Sequence, residues 1–223
     1  VFIASYWAVC CYLYILENFT RTMIKKSYII SLVVIVSFLG ISATWVITKA
    51  NASIQEIPPV IKKVPDFEMV SHLGKSFNQD SLINKISILD FIFTSCPGPC
   101  PTMSSNMRTL YKQYKLHPDL QFISISVDPE YDTQEVLKAY ADANGVNDNR
   151  WKFLRADMKA VKKLSTDGFM FMSESLPAGH SVKFVLIDQN GDVRQYYNGT
   201  DAGSIAILRT HINSILKNIK PKA

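Results

Sequence analysis

Residues 27–48, SYIISLVVIVSFLGISATWVIT, carry no charge. An α-helix rises about 1.5 Å per residue, so a run of roughly 20 apolar residues matches the roughly 30 Å core of a bilayer. This divides the chain into a membrane-compatible front and a body that must fold by itself. Lys25 and Lys26 precede the run, which by the positive-inside rule keeps the N-terminal side in the cytoplasm and exports everything after Lys49. The reading favoured is an uncleaved anchor over 27–48. Ala50-Asn51-Ala52 has the form of a signal-cleavage site, but the run is longer than the roughly 7–15 residues usual for a signal core. A buried soluble helix is the third reading.

Upstream, residues 1–26 form a separate N-terminal segment. Residues 1–19 are also apolar and could make a second span, whereas Met23-Ile24-Lys25-Lys26 opens like an ordinary export signal. The expectation is that residues 1–22 lie upstream of the true start, which leaves Cys10 and Cys11 without a role. Residues 49–64, with Pro58-Pro59 and Lys62-Lys63, read as a polar tether, extended rather than packed. The folded domain is expected over 65–223.

The chain has 223 residues, a net charge of +5, 48% hydrophobic and 19% charged residues. That is enough apolar material for a core, so disorder is excluded as the main state. Arg21, Lys25 and Lys26 stand against Glu17 in the first 48 residues, leaving 21 basic and 18 acidic residues for the body. So balanced a body argues against a dedicated nucleic-acid binder, which needs a basic stripe. Four cysteines are too few for a disulfide-dense scaffold.

Local patterns in the body alternate between strand and helix. Residues 67–77 read as a hairpin turning at Leu73-Gly74. Residues 86–93, ISILDFIF, are a near-continuous apolar run suited to a central strand buried on both faces. After Pro101, Met103, Met107, Leu110, Tyr111 and Tyr114 fall at helical spacing. Strand 120–127 follows. Asp132, with Glu135 three residues on, looks like a variant capping box opening a helix that stops near Asn144-Gly145. Then come a short strand at 151–154, a short helix at 158–165, a hairpin (182–188 and 192–197) around Asn190-Gly191, and a closing helix at 205–219. Its stripe is Ile205, Leu208, Ile212, Ile215, Leu216 and Ile219. The pattern predicts an α/β protein, a thioredoxin-like mixed sheet flanked by helices.

The chemistry concentrates at Thr94-Ser95-Cys96-Pro97-Gly98-Pro99-Cys100-Pro101, between the apolar strand and the next helix. Pro101 suits an early helical position. That puts Cys100 near the helix start and Cys96 in the loop above it, where backbone N–H groups and the helix dipole favour a thiolate. Such a pair is a nucleophile, a soft metal ligand or a plain structural disulfide. The last closes only a small ring and constrains the unfolded chain little. His180 precedes the strand at 182–188, in the place where thioredoxin-like oxidoreductases usually put a cis-proline; Pro177 is three residues too early.

At this point the sequence resembles the Sco/SenC family of membrane-anchored copper proteins. FTSCPGPCP matches that family's F-T-x-C-P-x-x-C-P motif. SVDPEYDT at 126–133, HSVKFVLIDQNGDV at 180–193 and PDFEMVSHLGKSF at 65–77 match its other segments. The likeness covers roughly 64–219 and the anchor. It implies copper as Cu(I) or Cu(II), with Cys96, Cys100 and His180 as the ligands. Two thiolates and an imidazole suit that metal, and a structural zinc site would want a fourth ligand. Gly179 and Thr102 stand where many relatives carry acidic residues.

The function implied is a copper metallochaperone, not an enzyme in the usual sense. It would take copper from a donor protein and deliver it to the dinuclear copper centre of cytochrome c oxidase, on that enzyme's copper-bearing subunit. The place implied is a bacterial inner membrane with the domain in the periplasm, the mitochondrial inner membrane being second. The alternative is a membrane-anchored thiol–disulfide oxidoreductase or redox sensor, with Cys96 and Cys100 as its catalytic pair and a disulfide in its cycle. Asp128-Pro129 is expected to shape the strand exit. Met103 and Met107 should be core, and Met170 and Met172 packing residues or soft contacts for copper. His72, His117 and His211 are expected at the surface.

Overall fold

The computed structural model describes residues 28–50, 57–171, 176–177 and 181–218. Residues 1–26 with Cys10 and Cys11, and Met172, Gly179, His180 and Ile219, therefore lie outside the described residues. The chain divides into two units, residues 1–53 and 54–223, taken in turn below.

The first unit is a helix, α1 (Tyr28–Ala50), long and apolar enough to cross a membrane. Its apolar side chains are exposed, Tyr28, Phe38 and Trp45 among them. Its hydroxyls turn back on the helix. Ser42 Oγ donates to the Leu39 carbonyl at 2.9 Å and Thr48 Oγ1 to the Thr44 carbonyl at 2.9 Å. Such bonds give each hydroxyl a partner within its own helix.

The second unit is built on an eight-stranded sheet. In chain order the elements are β1 (Lys62–Lys63), β2 (Glu68–Ser71), β3 (Ser76–Asn78), β4 (Ile86–Ile92), α2 (Cys100–Gln113), β5 (Leu120–Ser126), α3 (Gln134–Ala143), β6 (Trp151–Arg155), α4 (Met158–Lys163), β7 (Lys183–Ile187), β8 (Asp192–Asn198) and α5 (Ala202–Asn218). The strands run in the order β1-β8-β7-β4-β5-β6-β2-β3. The pairs β4–β5 and β5–β6 are parallel, the rest antiparallel. This is the expected mixed, thioredoxin-like sheet, extended at one edge by the β2–β3 hairpin.

Every residue of β4 and β5 is buried, as the apolar run of β4 requires of a strand covered on both faces. One face carries Phe122, Trp151 and Phe153 under α2 and α3, which Ser104 Oγ and Tyr140 Oη join at 2.8 Å. Helix α5 docks beside α2 through the Tyr114 hydroxyl, 2.9 Å from Asn213 Oδ1. The other face carries Phe91 against Phe169 and Phe171, presented by the turn of π-helix (Leu164–Gly168) that follows α4. The turn glycines fall where a left-handed backbone is needed, Gly74 at φ +73° and Gly191 at φ +77°.

Several expectations need correction. Residues 57–64 are not a free tether. β1 pairs with β8, the Pro58 carbonyl accepts from Arg194 Nη1 at 3.0 Å, and Val64 is buried. The strand covers what would otherwise be an open edge of the sheet. The cap of α3 is Thr133, whose hydroxyl accepts from the Val136 N–H, so Asp132 is left for other work. Helix α5 begins at Ala202 because Asp201 Oδ2 caps it through the Ser204 N–H at 2.6 Å. His72 and His211 are buried. His72 Nδ1 accepts from the Phe153 N–H at 3.2 Å and His211 Nδ1 lies 2.6 Å from the Tyr197 hydroxyl. His117 is exposed, Met103 and Met107 are core, and Met170 is 56% exposed, so Met170 is not a packing residue.

Candidate metal and thiol site

The parallel strands β4 and β5 run side by side from Ile86↔Leu120 to Ile92↔Ser126, and their C-terminal ends open into the two loops that make the site. A Val127 N–H bond to the Ile92 carbonyl at 2.8 Å extends the ladder one step further. The first loop is Phe93 to Pro99. It turns at once, the Cys96 N–H bonding the Phe93 carbonyl at 3.2 Å, and runs into α2 with Pro99 as cap and Pro101 in the first turn. Proline there costs nothing, because those N–H groups have no partner inside the helix.

Cys96 and Cys100 stand as reduced thiols, not joined in a disulfide, in contrasting settings. Cys100, the first residue of α2, is 1% exposed. Cys96 is half-buried, and the Gly98 N–H points at its sulphur from 3.4 Å. Burial pushes the Cys100 thiol up to about 12; a backbone hydrogen bond at Phe93 pulls the other way, and neighbouring Cys96 and Asp90 push it further up. The expectation that the helix start makes a thiolate is therefore reversed at Cys100, where desolvation outweighs the dipole. Pro101 also removes one of the N–H groups that would have helped.

Beneath the loop lies Asp90, a charged residue inside the apolar run of β4 and fully buried. Among the described residues neither carboxylate oxygen has a partner within hydrogen-bond geometry. Burial raises its pKa to about 7, and the cross-strand neighbour Ser124 offsets this only in part. The Ser124 hydroxyl accepts from Trp151 Nε1 at 3.0 Å and keeps its own O–H as a donor. The sequence reading passed over Asp90, although a lone carboxylate in ISILDFIF is a visible signal.

Asp132 was also missed in its real role. It is buried, and its carboxylate reaches 38 residues back to the cysteine loop. It accepts from the Thr94 N–H, at 3.3 Å to each oxygen, and from the Thr94 hydroxyl. Ser126 Oγ donates to it at 2.6 Å. Asp128-Pro129 shapes the strand exit as expected: the Asp128 N–H bonds Ser126 Oγ at 3.1 Å and the Pro129 carbonyl accepts from Arg155 Nη2 at 2.8 Å. The structure thus brings together Cys96 and Cys100. His180, the third expected ligand, lies outside the described residues. Among the described residues no group of three His, Cys, Asp or Glu side chains forms a metal site. The Leu176–Pro177 bond is cis.

Sequence and fold both have relatives among known proteins. The family model SCO1/SenC matches residues 57–217. The SCO1 protein homolog of Bacillus subtilis is 31% identical over 150 residues, covering 64% of this chain and 77% of its own. A Stutzerimonas stutzeri protein named as a candidate copper-binding protein is 28% identical over 182 residues, covering 78% and 86%. The solved structure of BsSco, a member of the Sco family of cytochrome c oxidase assembly proteins with a disulfide switch, superposes with a TM-score of 0.63 at 26% identity, covering 74% and 99%. The fold is therefore thioredoxin-like in the Sco manner, and the chain belongs to the SCO1/SenC family.

Proposed function

We propose that this protein handles copper during cytochrome c oxidase assembly: α1 anchors it to a bacterial inner membrane, the body stands on the periplasmic side, and Cys96, Cys100 and His180 hold one copper ion for transfer to the oxidase's copper-bearing subunit. The observation that carries the reading is the reduced dithiol of unequal exposure at the β4–α2 junction. A half-exposed sulphur can receive a soft cation from a donor, and a buried partner sulphur completes the bond away from water. Copper is the cargo, and its uptake requires both thiols reduced. The relatives named for copper binding and oxidase assembly support the same reading. Lys25 and Lys26 before α1 support the orientation.

The second reading is a thiol–disulfide reductase or redox sensor. It is favoured by the same asymmetry, because a half-exposed Cys96 and a buried Cys100 also suit an attacking and a resolving thiol. His180→Ala separates the two. It removes an imidazole and leaves the dithiol intact. Under the copper reading, copper affinity falls and oxidase assembly fails while both thiols still react with a small disulfide. Unchanged copper affinity with full oxidase assembly would move the assignment to the reductase reading.

A further inference from the structure

The dithiol is held from one side by α2, which fixes Cys100. The arm bearing Cys96 has no such helix. The Cys96 N–H bonds the Phe93 carbonyl within the same turn, and what ties that turn to the rest of the fold is Thr94, held by Asp132. The carboxylate takes the Thr94 N–H and hydroxyl together. It is itself tied by Ser126 Oγ at the end of β5, and its own N–H bonds the Asp128 carbonyl at 2.8 Å. Ser126 in turn accepts the Asp128 N–H. The carboxylate is thus wholly buried and provided with donors from two strands' ends. That is an expensive arrangement for a mere loop anchor, because a polar group so buried needs partners for its oxygens.

We propose that Asp132 is a positioning residue for the dithiol: through Thr94 it holds the Cys96 arm against Cys100, so that the two sulphurs act as one unit. Forming the disulfide demands that the sulphurs approach to roughly 2.05 Å, and a chelate demands that both reach the same metal ion. An arm clamped at Thr94 presents Cys96 to Cys100 at high effective concentration. An unclamped arm spends more time elsewhere, and the equilibrium between dithiol and disulfide shifts toward the dithiol. The inference concerns how the pair is held, so it stands whether the pair serves copper or a partner's disulfide.

The test is the equilibrium of the pair with a small dithiol reductant, measured on the full chain in detergent micelles. In that exchange the Cys96–Cys100 bond breaks, two electrons and two protons pass from the reductant to the pair, and the reductant closes to its own ring disulfide. The variants are Asp132→Asn, which puts an NH2 among the donors, and Thr94→Val, which deletes the hydroxyl alone. Thr94→Ser restores the hydroxyl. Urea unfolding of reduced and oxidised forms is measured alongside. The clamp predicts that Asp132→Asn and Thr94→Val each lower the disulfide's equilibrium constant at least tenfold, that the oxidised form loses correspondingly more stability than the reduced one, and that Thr94→Ser stays within threefold of the parent. A residue that merely supports the fold weakens both forms alike and leaves the constant unmoved. A constant within twofold of the parent in Thr94→Val, or in a folded Asp132→Asn, overturns the proposal.

Discussion

Cys100 sits 1% exposed at the head of α2, while Cys96, four residues earlier, stands half-buried with the Gly98 N–H on its sulphur. The two thiols of one short motif therefore meet solvent and reagents very differently. In the folded, reduced protein a bulky alkylating reagent is expected to label Cys96 at least ten times faster than Cys100, since reactivity follows exposure and thiolate content. Peptide mass spectrometry of briefly labelled protein reads the ratio. Equal rates in the folded state, together with equal rates in urea, would remove the asymmetry.

Copper uptake should release protons. Burial lifts the Cys100 thiol to about 12, so at neutral pH this sulphur carries a proton that the metal must displace. The group's raised pKa means that the proton is held across the whole range below about 12. For each proton displaced, the apparent affinity then rises about tenfold per pH unit. Calorimetry in buffers of different ionisation enthalpy should find at least one proton released per copper at pH 7. Affinity flat between pH 6 and 8 would contradict it.

Asp90 should make the body less stable as pH rises. Its pKa is about 7 in the folded state against an ordinary 3.8. Below about pH 4 both folded and unfolded forms hold the proton and no penalty exists. Between about 4 and 7 the unfolded chain releases it and the folded chain does not, so stability falls by up to about 1.4 kcal/mol per pH unit, reaching at most about 4 kcal/mol. Asp90→Asn removes that slope. The stability difference between Asp90→Asn and the parent, from urea unfolding at several pH values, should grow in the variant's favour from pH 4 to 7 and then level off. A difference independent of pH would show the carboxylate to be hydrated or paired.

Much of this was legible before any coordinates, and the part that was not has a physical pattern. β4, the β2–β3 hairpin and the placing of Cys96 and Cys100 follow from apolar runs, turn glycines and prolines, all local signals. Asp132 and Thr94 are 38 residues apart, and no local pattern announces that a carboxylate after a proline turn will reach into a neighbouring loop. His72 and His211 look like surface residues because their partners, Phe153 and Tyr197, lie on other elements, 81 and 14 residues away. The thiol of Cys100 was misjudged because helix position is visible in sequence whereas depth of burial is not. The packing of 57–64 depends likewise on β8, which lies more than 100 residues later.

That packing has its own test. Arg194 Nη2 lies 2.6 Å from the buried Asp188 carboxylate, and Arg194 Nη1 holds the Pro58 carbonyl. Arg194→Ala leaves Asp188 with only the Asn190 and Asp192 N–H groups on its other oxygen. Breaking such a buried pair costs about 3 kcal/mol, so the urea midpoint should fall accordingly. Amide exchange at Ile61 and Val64, which bond β8 and Gly191, should speed up. Slow exchange there in the folded variant would show that β1 is held without Arg194.

The central claim is that Cys96 and Cys100 bind copper together, as thiols. Metal analysis of the purified chain, once with both thiols free and once with the Cys96–Cys100 disulfide formed, tests it most directly. One copper ion per reduced chain and none held tightly by the oxidised chain is the predicted result, because the disulfide takes both sulphurs out of use. Equal copper in the two forms would place the metal elsewhere and contradict the account.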